Sequence, residues 1–377
     1  MKNILFLVLL FVLPVSAQVR IHSDYPGGNI RVDKIQNDTV WLQPDLRDTN
    51  GFWFYWNFAV QRAKGKTLTF KLPNDCFTRA GVAVSTDKGQ NWEWQQPEAF
   101  YSRSFNYTFT SNKEVRFAFA IPYTQANWDK FVSPYRKHPD FDFSTLTRTK
   151  KGRDVEMLTI RQAGVSPKVK VLFTARHHAC EMTANFVMEG IIEGIVADEW
   201  LKKNAEFRFI PFVDKDGVED GDQGKNRHPW DHNRDYSENS IYETTSAIKE
   251  VIPAWTGGKK NVVFDLHCPY SHTAQNDTIF LVGSKDKEME AKQLRLSHFV
   301  LANNQGELVY DPISFSYYGG KPWTLLGTDK ERMKMGTWGQ TLKGNIFSGS
   351  LEMPYGVNGN QLITEQNARA FGRDLIA

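Results

Sequence analysis

Short runs of strand-type residues alternate with helical patterns from about residue 145 onwards. The runs VEMLTIRQ, KVKVLFTAR, AEFRFIPFVD, NVVFDLH and DTIFLVG are separated by segments such as MTANFVMEGIIEGIVADEWLKK, in which apolar residues recur at helical spacing. This alternation predicts an α/β fold with a mixed, mostly parallel sheet and helices on both faces. Ligands of such sheets bind beyond the carboxyl ends of the strands. A functional site is therefore expected where these strands end.

The preceding part of the chain, residues 18 to about 125, shows the pattern of an all-β domain. The segments GFWFYWNFAV, KTLTFKL, GVAVST, SFNYTFT and EVRFAFAI are short and separated by turn-rich pieces such as DKGQN. Strands at this spacing suggest a β-sandwich, and its alternating aromatic residues suit a sandwich interior. We therefore predict a sandwich over 18–125 and an α/β domain over 126–377. IPYTQANWDKFVSPYRKHPDFD is interpreted as the connection between them.

The first residues are typical of a targeting segment. In MKNILFLVLLFVLPVSAQ, a lysine precedes an apolar core that ends in Val15-Ser16-Ala17. This pattern predicts a signal peptide over 1–17, cleaved after Ala17, and export to the periplasm or outside the cell. The apolar run is too short for a retained transmembrane helix, and no later stretch of about 18 apolar residues follows, so no membrane anchor is expected.

Charge and cysteine content exclude some classes of protein. The formal net charge of +3 is too small to argue for a nucleic-acid partner. The three cysteines, Cys76, Cys180 and Cys268, are an odd number, which argues against a disulfide framework. Small buried residues are the better interpretation of all three, because free cysteine is among the most buried residue types.

Two histidines and a glutamate occur where strands are predicted to end. His178-Ala-Cys-Glu181 follows the apolar run VKVLFTAR, and His267 ends the run NVVFDLH. An HxxE pair alone is a weak signal, but a second histidine at another strand end strengthens it. Two histidines and one glutamate, with a fourth position open to water, form a catalytic zinc set. The pattern therefore predicts a site for one Zn²⁺ ion.

Two further segments carry polar residues suited to a reaction. GDQGKNRHPWDHNRDYS, residues 221–237, is predicted as a loop, and its arginines suit binding of a carboxylate. The strand in IFSGSLEMPYG carries one glutamate, Glu352, among apolar and small neighbours. An acidic residue in such a run is costly unless it is paired or functional. Near a metal, Glu352 could act as a general base on water.

Taken together, these segments resemble the zinc metallocarboxypeptidases of the carboxypeptidase A type, and more closely their cytosolic-carboxypeptidase branch. FTARHHACEMTANFVMEGII is similar to the block ARVHPGETNSSW of that branch, and FDLHCPYSH is similar to DLHGHS. FIPFVDKDGVEDGDQGKNR, with the later DHNR, resembles PMLNPDGVIVGNYR and DLNR. The resemblance covers roughly residues 50 to 375. It departs from the digestive members at Cys180, where they carry an arginine.

The resemblance implies the zinc carboxypeptidase fold, preceded by the β-sandwich of this branch, and a role for each polar residue named above. The implied zinc ligands are His178, Glu181 and His267. The other implied roles are the general base Glu352, the oxyanion-stabilising Arg227, the substrate-binding Asn233 and Arg234, and Asp231, which would orient His178.

Three functions stay open on the sequence. The first is a zinc carboxypeptidase acting on peptides with a free C-terminal carboxylate. The second is a zinc amidase or deacylase acting on peptidoglycan stem peptides or N-acyl amino acids, which a carboxylate-binding arginine suits equally well. The third is a non-catalytic binding module that recognises peptide or glycan through the aromatic N-terminal part. Glu352 favours an enzyme, because an inert relative need not retain a base. The sequence indicates neither the oligomeric state nor which C-terminal residue is removed.

Overall fold

In the N-terminal part of the protein, the described residues form nine strands in two sheets. The computed structural model describes residues 18–47, 49, 53–73, 76–271, 276–325 and 331–377, so the predicted signal peptide lies outside the described residues. The strands are β1 (Arg20–His22), β2 (Arg31–Gln36), β3 (Thr39–Gln43), β4 (Asn57–Gln61), β5 (Thr67–Lys71), β6 (Val82–Ser85), β7 (Glu93–Gln95), β8 (Ser104–Thr108) and β9 (Val115–Ala118). They form a five-stranded sheet in the order β1-β4-β9-β6-β7 and a four-stranded sheet in the order β2-β3-β5-β8.

Aromatic side chains fill the space between these two sheets. Phe58 on β4 lies 5.4 Å from Phe70 on β5, measured between ring centroids, and Phe117 on β9 lies 5.2 Å from Phe105 on β8. Each contact joins one sheet to the other, and all four rings are buried. Alternation along a strand places every second side chain on the same face, which is why the aromatic pattern builds one interior. The predicted all-β region is confirmed.

The rest of the chain is built on a third, larger sheet with helices. Its strands are β10 (Phe141–Arg148), β11 (Asp154–Ile160), β12 (Val169–Ala175), β13 (Ala205–Ile210), β14 (Lys260–His267), β15 (Phe280–Val282) and β16 (Asn345–Glu352), with a hairpin of β17 (Val357–Asn358) and β18 (Gln361–Leu362) beyond them. The helices of the protein are α1 (Ala99–Ser102), α2 (Gln125–Val132), α3 (Thr183–Ala197), α4 (Glu199–Asn204), α5 (Lys215–Asp220), α6 (Glu243–Thr256), α7 (Lys287–Asn303), α8 (Met335–Gln340) and α9 (Glu365–Ile376).

The seven-stranded sheet is parallel at its centre and antiparallel at its edges. Its order is β10-β11-β13-β12-β14-β16-β15. The neighbours β13, β12, β14 and β16 are parallel, whereas β10, β11 and β15 join in antiparallel pairs. The carboxyl ends of the four central strands therefore meet at one edge of the sheet. This arrangement confirms the predicted fold class.

Apolar cores cover both faces of this sheet. Leu172 and Val263 belong to the core that also contains Ile248 of α6 and Met335 of α8. Phe173, the next residue along β12, belongs to the other core, which contains residues of α3 and α9. Successive side chains of a strand point to opposite faces, so continuous apolar runs such as VKVLF supply both cores. Among the residues that the structure describes, no helix has the length and apolar character needed to cross a membrane.

The segment interpreted as an inter-domain connection is more ordered than a loop. It contains α2, whose Trp128 is fully buried, and the first two residues of β10, which pairs with β11 at the edge of the large sheet. The larger apolar core runs without interruption from the sandwich to α3 and α9. A domain boundary after residue 125 therefore stays a prediction, because no break in packing marks that position.

Candidate active site

The first part of the site is the corner between β12 and α3. β12 ends at Ala175 and α3 begins at Thr183, so His178 and Glu181 lie in the turn that joins them. The backbone N–H of Glu181 donates to the carbonyl oxygen of His178 over 3.2 Å. This turn brings the His178 ring Nδ1 to 2.8 Å from the Glu181 Oε1. Glu181 lies two residues before the first residue of this helix.

His267 reaches the same place from the neighbouring strand. It is the last residue of β14, which runs parallel to β12, and its Nδ1 lies 2.7 Å from the Glu181 Oε2. The candidate ligand atoms of His178, Glu181 and His267 all lie within 4.8 Å of one another, and all three residues are buried. Two imidazoles and a carboxylate are the donor set of catalytic zinc sites, so the residues present fit such an ion.

The charge of Glu181 is also suited to metal binding. Burial alone would raise the pKa of this carboxyl, but Lys225, His178 and His267 together hold its pKa well below the usual value. A metal ligand must be deprotonated, and Glu181 meets that requirement at neutral pH.

An aspartate lies close to the second nitrogen of each histidine. Asp265 Oδ2 is 2.5 Å from His267 Nε2, and Asp231 Oδ1 is 3.5 Å from His178 Nε2. Carboxylates in this position orient a metal-binding imidazole and fix its tautomer. The structure thus places Asp231 beside His178. Sequence reasoning missed Asp265, although its position two residues before His267 puts both side chains on one face of the strand.

Glu352 lies opposite His267 at the same edge of the sheet. It is the last residue of β16, and its strand partner in register is His267. The carboxyl group is 7% exposed, and within the part of the chain that the structure describes its Oε2 has no hydrogen-bond partner. Burial raises the pKa of this carboxyl. A buried carboxyl with an unsatisfied oxygen costs free energy unless it serves a reaction or binds a ligand.

These groups line a cavity of about 110 Å³. The residues around it include His178, Lys225, Asp231, Asn233, Arg234, His267, Tyr270, Lys334 and Glu352. The Asn233 Nδ2 lies 3.2 Å from His267 Nε2, and its Oδ1 accepts a hydrogen bond from the Met335 N–H over 3.1 Å. A second cavity of about 360 Å³ shares Val282, Lys334 and Ser350 with the first. Asn233 and Arg234, the candidate substrate-binding residues, therefore face one space with the two candidate histidine ligands.

The structure does not bring Arg227 to this cavity. Its guanidinium is buried between two carboxylates, with Nη1 2.6 Å from Asp214 Oδ2 and Nη2 2.9 Å from Asp222 Oδ2. It lines a separate cavity instead. The oxyanion position that the resemblance implied for Arg227 does not agree with this placement, because the two buried carboxylates hold the guanidinium where its charge is compensated.

Lys225, two residues earlier, lines the cavity in its place. Its ammonium group contacts the Glu181 carboxylate and donates to the Cys268 carbonyl oxygen over 2.8 Å. Burial alone would lower the pKa of Lys225, but Glu181 raises it above the usual value, so the group is charged. Sequence reasoning missed this residue because the loop offers both Lys225 and Arg227 without a regular element to fix their directions.

The remaining histidine and cysteine of the corner are bonded to other groups. His177 Nδ1 lies 2.8 Å from Asp265 Oδ1 and its Nε2 lies 2.7 Å from the Tyr236 hydroxyl. Cys180 is fully buried, with its Sγ 3.4 Å from the Tyr355 hydroxyl, and burial raises the pKa of the thiol to about 12. His177, Asp265 and His267 form a second candidate ligand group. Neither His177 nor Cys180 lines the cavity.

Comparisons with known proteins show which proteins this chain resembles. No protein-family model matches the chain. Cytosolic carboxypeptidase 6 of Caenorhabditis elegans is 26% identical over 76% of this chain and 71% of that protein. The human cytosolic carboxypeptidase 6 is 23% identical over 78% of this chain, which spans 65% of the human protein.

Solved structures with the same fold are also known. A metallo-carboxypeptidase from Burkholderia cenocepacia superposes with a TM-score of 0.72 at 20% identity, covering 95% of this chain and 97% of that one. A metallo-carboxypeptidase from Pseudomonas aeruginosa has a TM-score of 0.70 at 19% identity with the same coverage. The predicted resemblance to the cytosolic-carboxypeptidase branch is confirmed, and so is the predicted fold.

Proposed function

We propose that this relative of the cytosolic carboxypeptidases, with its metallo-carboxypeptidase fold, is an exported zinc carboxypeptidase that removes residues from the C-terminus of peptides. The observation that carries the proposal is the convergence of His178, Glu181 and His267 on one point, with Glu352 in the same cavity. Parallel strand ends bring these residues together from three separate segments of the chain. Such a set, open to a cavity, is typical of hydrolytic metal sites.

Each residue of the cavity has a distinct part in this proposal. A zinc ion held by His178, Glu181 and His267 would polarise a water molecule and the scissile carbonyl. Glu352 takes the proton from the attacking water and passes it to the leaving amine. Burial raises its pKa, which makes this carboxylate a stronger proton acceptor than an exposed glutamate.

The other charged residues bind the substrate. Arg234 carries a guanidinium into the cavity, and its backbone neighbour Asn233 lies beside it on one turn of 3₁₀-helix. A planar guanidinium binds a carboxylate through two parallel hydrogen bonds, so the pair would hold the free C-terminus of a peptide. The Lys225 ammonium lies 3.5 Å from His178 Nδ1, and we assign to it the oxyanion contact that the resemblance implied for Arg227.

The decisive experiment measures metal and product on the same protein. We expect about one zinc ion per folded chain, and release of single C-terminal residues from a peptide library. Folded protein with neither property would refute the proposal. Hydrolysis of N-acyl amino acids without cleavage of peptides would instead support the amidase or deacylase alternative.

A mature chain that begins at Gln18 in the exported fraction would support the predicted cleavage after Ala17, and a retained Met1 would contradict it.

Arg234→Ala is expected to remove the preference for free over amidated C-termini. A charge-assisted hydrogen bond contributes about 1.5–3 kcal/mol, which corresponds to roughly 10- to 100-fold in kcat/KM. The wild-type protein should prefer the free acid by that factor, and the variant should treat both substrates alike. The measurement is kcat/KM for a matched pair of acid and amide peptides. Equal wild-type rates on the pair would rule out the role of an exopeptidase.

Lys225→Met is expected to impair catalysis, whereas Arg227→Met is expected to impair stability. In the zinc-loaded protein, where the ion would compensate Glu181, the loss of Lys225 should lower kcat/KM roughly 10- to 100-fold on acid and amide peptides alike, because an oxyanion contact does not depend on the terminus. The loss of Arg227 leaves Asp214 and Asp222 without their shared cation and should lower the free energy of unfolding by about 3–5 kcal/mol. Denaturant unfolding and steady-state kinetics on both variants separate the two effects. A loss of stability in Lys225→Met with a loss of catalysis in Arg227→Met would instead assign the oxyanion contact to Arg227.

A further inference from the structure

We propose that the N-terminal β-sandwich is part of the active-site scaffold, and that Gln223 and Phe54 position the metal-binding corner. Gln223 is fully buried, and its side-chain Oε1 accepts a hydrogen bond from the Phe54 N–H over 2.7 Å. Its own backbone carbonyl accepts a hydrogen bond from the Cys180 N–H over 3.0 Å. Cys180 directly precedes Glu181, so one residue bonds to the sandwich and to the corner at once. That this corner binds a metal ion rests on the proposed function.

The loop that contains Gln223 is attached to the sandwich at further points. The Asn29 side chain donates to the Gly221 carbonyl over 2.9 Å, and the Gly27 N–H donates to the Glu219 carbonyl over 2.9 Å. Arg47 forms an ion pair of 2.7 Å with Asp222. The same loop continues to Lys225 in the cavity. Its position relative to the site is therefore set by residues of the N-terminal part of the chain.

Phe54 also contacts the segments that follow His267 and Glu352. Its ring lies 5.5 Å from the ring of Tyr355 and 6.1 Å from that of Tyr270, measured between centroids. Tyr355 comes three residues after Glu352, and its hydroxyl is 3.4 Å from the Cys180 Sγ. Tyr270 comes three residues after His267 and lines the cavity. The sandwich thus touches the chain next to His178, His267 and Glu352.

These aromatic residues are buried, so they do not form a recognition surface. Phe54 and Phe119 are 0% exposed, and Phe119 also packs on Tyr355, with 5.1 Å between centroids. A binding module would need such rings at its surface. Buried rings against Tyr355 instead restrict its movement, because close-packed interiors transmit displacement. The contacts point to a positioning role for Phe54 and Gln223, exerted through the corner rather than on the substrate.

The test compares Gln223→Leu and Phe54→Leu with the matched control Phe70→Leu. Phe54 and Phe70 are equally buried in the N-terminal core, but Phe70 contacts only rings of the sandwich among the ring contacts of the described residues. The Phe70 variant therefore reproduces the loss of packing without touching the site. Hydrogen exchange of the amides of residues 177–182 is measured on the metal-free full chain, and zinc release to a chelator is measured on the loaded protein.

We expect exchange of these amides to become about tenfold faster or more in Gln223→Leu and Phe54→Leu, and to stay at the wild-type rate in Phe70→Leu. Zinc release should accelerate about 10- to 100-fold in the first two variants only, as for loss of an outer-shell partner. Unchanged exchange in Gln223→Leu and Phe54→Leu, or equal acceleration in all three variants, would overturn the inference. The expected exchange pattern in a chain that takes up no zinc would support the positioning link and refute the proposed zinc function.

Discussion

Glu352→Gln is expected to lower kcat about 10²- to 10⁴-fold, the usual range for loss of a general base, while the protein keeps its metal and its fold. Glutamine has nearly the same shape, so it fills the same space at the end of β16. Glu352 is not among the candidate ligands, and burial disfavours its charged form, so a neutral amide should not destabilise the chain. Steady-state kinetics, zinc content and thermal unfolding of the variant measure the three properties separately.

The outcome of this substitution distinguishes the base from a ligand. A fall in kcat with a full complement of zinc places Glu352 in proton transfer. A fall in zinc content would place it in the metal site instead. Full activity in the variant would show that the base is another residue, and the buried carboxyl would then need a different explanation.

His267→Ala is expected to abolish both zinc binding and activity. Removing one of three ligands should weaken zinc binding by more than the 10- to 100-fold that loss of an outer-shell partner costs. Activity should fall below that of Glu352→Gln, because the variant loses the ion and leaves Glu181 without one of its two histidine contacts. Zinc titration with a competing chelator and circular dichroism measure metal affinity and fold.

Cys180→Ser provides the matched control for this prediction. Cys180 lies in the same corner, is fully buried and contacts Tyr355, but it is absent from the candidate ligand groups of the described residues. The serine variant should keep zinc affinity within the range of the wild-type protein. Loss of zinc from Cys180→Ser, or retention of zinc by His267→Ala, would show that the ligands have been assigned incorrectly.

Local sequence signals indicated the elements that carry the candidate metal site. The apolar run VKVLFTAR ends just before His178, and NVVFDLH ends on His267. Parallel neighbours have their carboxyl ends at one edge of the sheet, so two such runs already imply that their terminal side chains are close. The structure brings His178, Glu181 and His267 to one point for this reason. Glu352 ends β16, which is parallel to β14, so its side chain lies at the same edge of the sheet.

Loops and sheet edges could be predicted less well from local sequence patterns. The segment interpreted as a connection contains α2 and the first two residues of β10: Trp128 of α2 packs into the apolar core, and β10 pairs with β11, the next strand along the chain. Neither element has a strong local pattern. The apolar burial and strand pairing that stabilise them exist only after the chain has folded.

The fold class and the residue types that can hold a metal were therefore predictable, because periodicity and strand-end position are local properties of a sequence, and the resemblance to the cytosolic carboxypeptidases rests on short motifs. Which cation faces the cavity depends instead on long-range contacts of the folded chain. Arg227 and Lys225 are two residues apart on one irregular loop, and either could have turned towards the site. Asp214 and Asp222 bind the guanidinium, Gln223 joins the loop to Phe54, and Lys225 is left beside Glu181. The direction of a loop side chain depends on such long-range pairs, since no regular backbone hydrogen bonding fixes it.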